Sequence, residues 1–141
     1  MTPQQQELIR STWAMVTPIA DDAASIFYDR LFELDPSLRR MFAHTDMAAQ
    51  RRNLVQTLAV VVKGIDRLDT LLPAVEALGR RHAGYGVRAG HYATVGQALI
   101  DTLAAGLGKA FTPQARAAWG EAYELLAGVM LSASAVEAVA A

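Results

Sequence analysis

The chain has 141 residues, 52% of them hydrophobic and 19% charged, with a mean hydropathy of +0.18. That balance fits a single domain, residues 1–141, with an interior large enough for a pocket, and it excludes a disordered segment. Thirteen Lys and Arg stand against 14 Asp and Glu, so the overall charge leaves no footprint for nucleic acid or an acidic membrane, and the absence of cysteine removes disulfides, thiolate nucleophiles, iron–sulfur clusters and cysteine-ligated zinc together.

The first residues, Met1 to Glu7, show no basic region followed by an apolar one, so no signal peptide is expected. The apolar run Leu125–Leu131 is soon interrupted by Ser132, Ser134 and Glu137, well short of the ~18 residues a membrane span needs. The expected location is the cytoplasm.

Nearly every segment carries a helical period. Alanine occurs 27 times, and no Asn-Gly or Asp-Gly hairpin signal is present. Thr2-Pro3 opens a first helix, with Gln5 placed as a capping-box partner and Leu8, Ile9, Trp13, Val16 and Ala20 on one apolar face. Pro18 ends that helix or starts a second, which runs to about Leu34. Asp35-Pro36 caps a short segment through Phe42, and an irregular polar stretch follows from Ala43 to Ala48. A helix over about Met47–Gly64 spaces Leu54, Leu58, Val61 and Ile65 by 4, 3 and 4 residues. The next, about Thr70–Ala83, spaces Leu71, Val75, Leu78 and His82 in the same way. Gly84, Gly86 and Gly90 break the chain before a helix near His91–Leu107, and Thr112-Pro113 opens the last one. The pattern predicts an all-α fold of six substantial helices and a short one.

Three histidines are present. His82 continues the apolar stripe of its helix where a leucine would ordinarily stand, flanked by Arg80 and Arg81. Taken alone, that position suits either a satisfied core histidine or an axial ligand presented into an apolar cavity, which is how haem iron is held. His44 lies in a polar loop and His91 at a helix start, so both read as surface or capping residues. No histidine pair has the spacing of a helical zinc site. Gln50 heads the stripe of Leu54 and Leu58, either as its solvent edge or as a polar group aimed into a pocket. Tyr28 shares a face with Ala24 and Leu31, and Phe42 ends the short segment; both also suit plain core packing.

In this order and spacing the sequence resembles the bacterial single-domain haemoglobins of the flavohaemoglobin-like (Vitreoscilla-haemoglobin-like) globin family. The resemblance is carried by Ile26 to Phe32, Asp35-Pro36 through Met41-Phe42, Gln50 to Leu54, and Leu78-Gly79-Arg80-Arg81-His82. It continues through Gly86-Val87, His91-Tyr92 with Val95-Gly96, and Ala118-Trp119-Gly120-Glu121-Ala122-Tyr123. It implies a globin fold of six to eight helices around haem b (iron protoporphyrin IX), with the Ala43–Met47 loop in place of a D helix. Position by position, His82 resembles the proximal iron ligand, Phe42 the phenylalanine wedged against the haem edge, and Tyr28 the distal tyrosine. Gln50 and Leu54 resemble the distal pair of the following helix. An ungapped count from Phe42 would put Arg52 at the glutamine's place, but Gln50 stands one turn before Leu54. The resemblance further implies cofactor contacts at Leu78, Arg81, Val87 and Tyr92, with Arg81 suited to a haem propionate. Counting from Trp119 puts Ser134 where the family has a glutamate, and Glu137 follows one turn later.

The function so implied is reversible dioxygen binding, for storage, transport or scavenging, with Tyr28 and Gln50 as donors to the bound gas. The alternative is nitric oxide dioxygenation with electrons from a separate reductase, since the sequence contains no Gly-rich dinucleotide fingerprint. Expected partners are dioxygen, nitric oxide and carbon monoxide, and neither nucleic acid nor a membrane span is expected. A haem-free helical interaction module is a third reading, against which the lack of coiled-coil patterning argues.

Overall fold

Thr2 holds the start of α1 (Pro3–Val16) with both bonds of a capping box: its Oγ1 accepts from Gln5 N at 3.1 Å, and Gln5 Oε1 accepts from Thr2 N at 2.9 Å. In this computed structural model, which describes residues 1–140 with side chains described through residue 134, five more helices follow. They are α2 (Ala20–Leu34), α3 (Met47–Lys63), α4 (Leu68–Gly84), α5 (Ala89–Leu107) and α6 (Pro113–Ala140). Short 3-10 turns join several of them, at Thr17–Ile19, Pro36–Phe42, Ile65–Arg67 and Gly108–Ala110. Pro18 lies in the first of these turns, so it separates α1 from α2.

Two predicted starts shift. α4 begins at Leu68 instead of Thr70, and α5 at Ala89 instead of His91. The glycines near that junction are not equivalent. Gly84 ends α4 and Gly90 lies inside α5, whereas Gly86 takes φ +89°. Around Gly86, Val87 N donates to His82 O at 3.1 Å and Gly86 N to Ala83 O at 3.0 Å. This is a Schellman stop, which needs a left-handed residue at that point and satisfies the last carbonyls of the helix.

Packing follows the apolar stripes. α4 lies along α6, α2 along α5, and α1 against α6, while α2 also meets α3. The larger core gathers Ile9, Phe27, Leu31, Ile65, Leu103 and Trp119, and Trp119 Nε1 donates to the buried Thr12 Oγ1 at 2.8 Å. A smaller core, around Val75, Tyr92, Ala127 and Met130, lies between α4, α5 and α6.

The α4–α6 crossing is close because Gly79 has no side chain; a Cβ there would stand 2.5 Å from Met130 O and 2.6 Å from Met130 Cα. Backbone cannot yield as a flexible side chain can. Gly79→Ala is therefore expected to lose about 2 kcal/mol of stability by overpacking. Urea unfolding should show a lowered midpoint with an unchanged slope, and a midpoint equal to wild type would contradict it.

Candidate functional site

His82 stands near the C-terminal end of α4, half-buried, on the stripe that carries Val75 and Leu78. Its Nδ1 lies 2.8 Å from Leu78 O. A carbonyl only accepts, so Nδ1 carries the hydrogen and Nε2 keeps an uncommitted lone pair. Burial pushes the imidazole below its ordinary range; the bond to Leu78 opposes this, and the charge of Arg81 adds to it. A ring lowered from 6.5 is neutral at pH 7, the form that binds a metal. The Schellman stop fixes the helix end just beyond His82. The ring of Tyr85 stands 6.1 Å from its own, centroid to centroid.

A second cluster forms where α2, the Pro36–Phe42 turn and α3 meet. Tyr28, buried in α2, has Phe27 edge-on at 5.0 Å, Phe42 at 5.7 Å and Phe32 at 6.3 Å. Gln50 Nε2, from the first turn of α3, donates to the Tyr28 hydroxyl at 3.1 Å. Gln50 is thus drawn inward to Tyr28, while Arg52 is exposed. Burial pushes the Tyr28 phenol up, with the Gln50 bond and the charge of Arg51 opposing. It therefore stays protonated at neutral pH, and its own hydrogen is not spent on Gln50. Leu54, one turn after Gln50, packs on the larger core.

Behind Leu54 lies an apolar cavity of about 30 Å³, walled by Trp13, Phe27, Leu54, Leu58 and Leu99. Thr102 also lines it, but its Oγ1 donates to Ala98 O at 2.7 Å, so that wall offers no free donor.

Leu78 and Val87 are half-buried against the smaller core, Arg81 is exposed, and Tyr92 is buried. Among the described residues the buried Tyr92 hydroxyl has no hydrogen-bond partner. Burial pushes its phenol up, and Ser134 tempers the shift without making an aligned bond. Ser134 Oγ is turned to Gly79 O and Met130 O, each at 2.9 Å. The side chain of Glu137 lies outside the described residues. His91 caps α5, its Nδ1 accepting from Arg88 N at 2.9 Å, and His44 is exposed. No cluster of three metal-ligating side chains occurs among the described residues.

One positioning residue escapes a reading of the sequence for donors. Tyr123 Oη donates to Tyr92 O at 2.6 Å and fixes the start of α5 against α6. Its ring lies over Gly96, where a Cβ would come within 2.7 Å. A glycine inside a helical pattern is the available signal for such an approach.

The sequence matches the globin family over residues 25–130. The chain belongs to the globin family. This globin is 32% identical over 133 residues to a flavohemoprotein of Bordetella parapertussis, covering 93% of this chain and 33% of that protein. It is 31% identical over 127 residues to a flavohemoprotein of Bacillus subtilis, covering 89% and 32% respectively. The chain thus spans about a third of the length of the curated relatives it matches. Among solved structures it resembles a variant of RmaNOD, an engineered carbene transferase and candidate nitric oxide dioxygenase from Rhodothermus marinus. That likeness has a TM-score of 0.87 and 28% identity, covering 99% of this chain and 97% of the other. The all-α globin fold expected from the sequence is the one observed.

Membership of the family implies haem, and two features of this globin fit that group. One is the donor chemistry of His82, an imidazole on the stripe of Val75 and Leu78 with Nδ1 committed and Nε2 without a partner among the described residues. The other is the paired phenol and amide of Tyr28 and Gln50, hydrogen-bond donors among aromatic rings. No helix of the described residues is long and apolar enough to cross a membrane.

Proposed function

We propose that this globin holds haem b through His82 and acts as a nitric oxide dioxygenase. Nitric oxide, dioxygen and one electron are converted to nitrate, the electron coming from a reductase. When bound, haem supplies an iron that takes a diatomic gas reversibly and exchanges single electrons. His82 Nε2 serves as the metal ligand, with its ring held by Leu78 O. Phe42, Leu54, Leu78, Val87 and Tyr92 would supply contact to the macrocycle, and Arg81 would pair with a propionate.

Tyr28 and Gln50 would act on a gas held by the bound group. Dioxygen takes up negative charge on binding, whereas carbon monoxide stays nearly neutral, so donors selectively favour dioxygen. Gln50 donates to the Tyr28 oxygen, which leaves the phenolic hydrogen and the second amide hydrogen for the ligand. Leu54 and the apolar wall behind it keep water from this spot. The arrangement suits both holding dioxygen and presenting it to nitric oxide.

The observation that carries the proposal is the Tyr28–Gln50 pair, with its phenolic hydrogen unspent. Dioxygenation is favoured over storage by likeness to RmaNOD and to proteins whose name joins a flavin with a haem. A cytoplasmic setting, where a flavin reductase is at hand, suits this role.

Stopped-flow mixing of the oxygenated protein with nitric oxide, in the presence of a flavin reductase and reduced nicotinamide, tests it. The expected result is many equivalents of nitrate per haem. A single equivalent, with ferric protein left at the end, would instead assign the chain to reversible dioxygen binding.

A further inference from the structure

The net charge of -1 conceals a strong segregation. Residues 36–52 hold four arginines and one acid, and residues 77–91 hold three arginines and no acid. The rest of the chain carries six basic residues against 13 acidic ones. The two basic segments are those that carry Phe42 and Gln50 on one hand and His82 on the other.

None of these seven arginines forms an ion pair among the described residues; the pairs there involve Arg10, Arg30 and Arg67. The single acid, Asp46, is occupied as the cap of α3, with Oδ1 accepting from Ala49 N at 3.2 Å. Arg39 lies over the Phe32 ring at 4.9 Å, and Phe32 packs on Phe42 at 5.5 Å, so this positive edge is continuous with the aromatic cluster. On the other segment Tyr85 is 65% exposed between Arg81 and Arg88. An exposed aromatic among unpaired arginines is the composition of an interface hot spot.

We infer that this arginine rim is a docking surface for an acidic electron-carrier protein, with Tyr85 as its apolar anchor. The inference rests on the proposed function: the two basic segments border one opening when His82 and the Tyr28–Gln50 pair hold one group between them. Arginine forks match surface carboxylates in a bidentate manner and steer association. A compact acidic protein can cover the rim alone. An extended polyanion, whether nucleic acid or an anionic membrane, would also meet the acid-rich remainder and be repelled. The position suits delivery of the one electron that each turnover consumes, which the carrier loses.

The test is isothermal titration calorimetry of the haem-loaded full chain with an acidic [2Fe–2S] ferredoxin, at low and tenfold higher salt. Binding that weakens about tenfold over that salt range is expected. The variant Arg40→Glu/Arg52→Glu/Arg80→Glu/Arg88→Glu should weaken binding by about tenfold or more, while the matched variant Lys63→Glu/Arg67→Glu/Lys109→Glu/Arg116→Glu should change it by less than about twofold. Equal losses in both variants, no binding at low salt, or tighter binding to phosphatidylserine vesicles or a DNA duplex would overturn the inference. Rim variants with wild-type ferredoxin affinity but unchanged haem spectra and nitrate yield overturn the docking surface alone. A wild-type chain that takes no haem yet keeps rim-dependent binding overturns the proposed function and leaves the docking surface standing.

Discussion

Replacing His82 with alanine is expected to abolish haem retention. The imidazole is neutral at pH 7, its Nδ1 is tied to Leu78 O at 2.8 Å, and no other histidine competes: His44 is exposed and His91 is engaged at a helix cap. Losing an outer-shell partner of a metal ligand typically costs 10–100-fold in affinity, so losing the ligand itself should cost at least about 100-fold. The measurement is an absorption spectrum after reconstitution and desalting, ferric and reduced. Wild-type protein should show one haem per chain, and His82→Ala should come out nearly colourless while its far-ultraviolet circular dichroism stays helical. Added imidazole, which can occupy the vacated space, should restore part of the spectrum and so separates ligand loss from misfolding. A variant that keeps stoichiometric haem with an unchanged spectrum would remove His82 as the ligand.

Tyr28→Phe should speed dioxygen release. The phenol is buried and protonated, and its hydrogen is free of Gln50. A hydrogen bond to a charged acceptor contributes about 1.5–3 kcal/mol, which corresponds to a roughly 10- to 150-fold faster off-rate when it is lost. Carbon monoxide release should change far less, because that ligand accumulates little charge. Gln50→Leu should act in the same direction. The double variant should fall short of the product of the two, since the side chains are bonded to each other and their effects are coupled. Equal off-rates for Tyr28→Phe and wild type, measured by replacement of dioxygen with carbon monoxide, would deny Tyr28 this role.

Helix identity and most helix ends were legible in the amino-acid order. Thr2-Pro3, Asp35-Pro36 and Thr112-Pro113 carry their caps within three residues, and the observed bonds from Gln5, Ser37 and Ala115 to those side chains follow directly. The 4, 3, 4 stripes of α3 and α4 likewise report a local period. The starts of α4 and α5 shifted by two residues because neither has a side-chain cap in the usual sense: α4 emerges from a 3-10 turn, and His91 binds back to Arg88 N. The family could also be recognised from the order of motifs, which matched over residues 25–130.

Tertiary structure decided the rest. Gln50 and Tyr28 are 22 positions apart, and spacing alone left Arg52 as a competitor until the angle between α2 and α3 brought the amide to the phenol. Gly79 reads as one more small residue until α6 crosses it, and Ser134 is an ordinary serine until the same crossing turns it to Gly79 O. The physical division is one of range. Caps and helical period depend on bonds and side-chain contacts within about one turn, so the sequence determines them locally. Which polar groups meet depends on how rigid helices settle their apolar faces against one another, a balance made by the whole core at once.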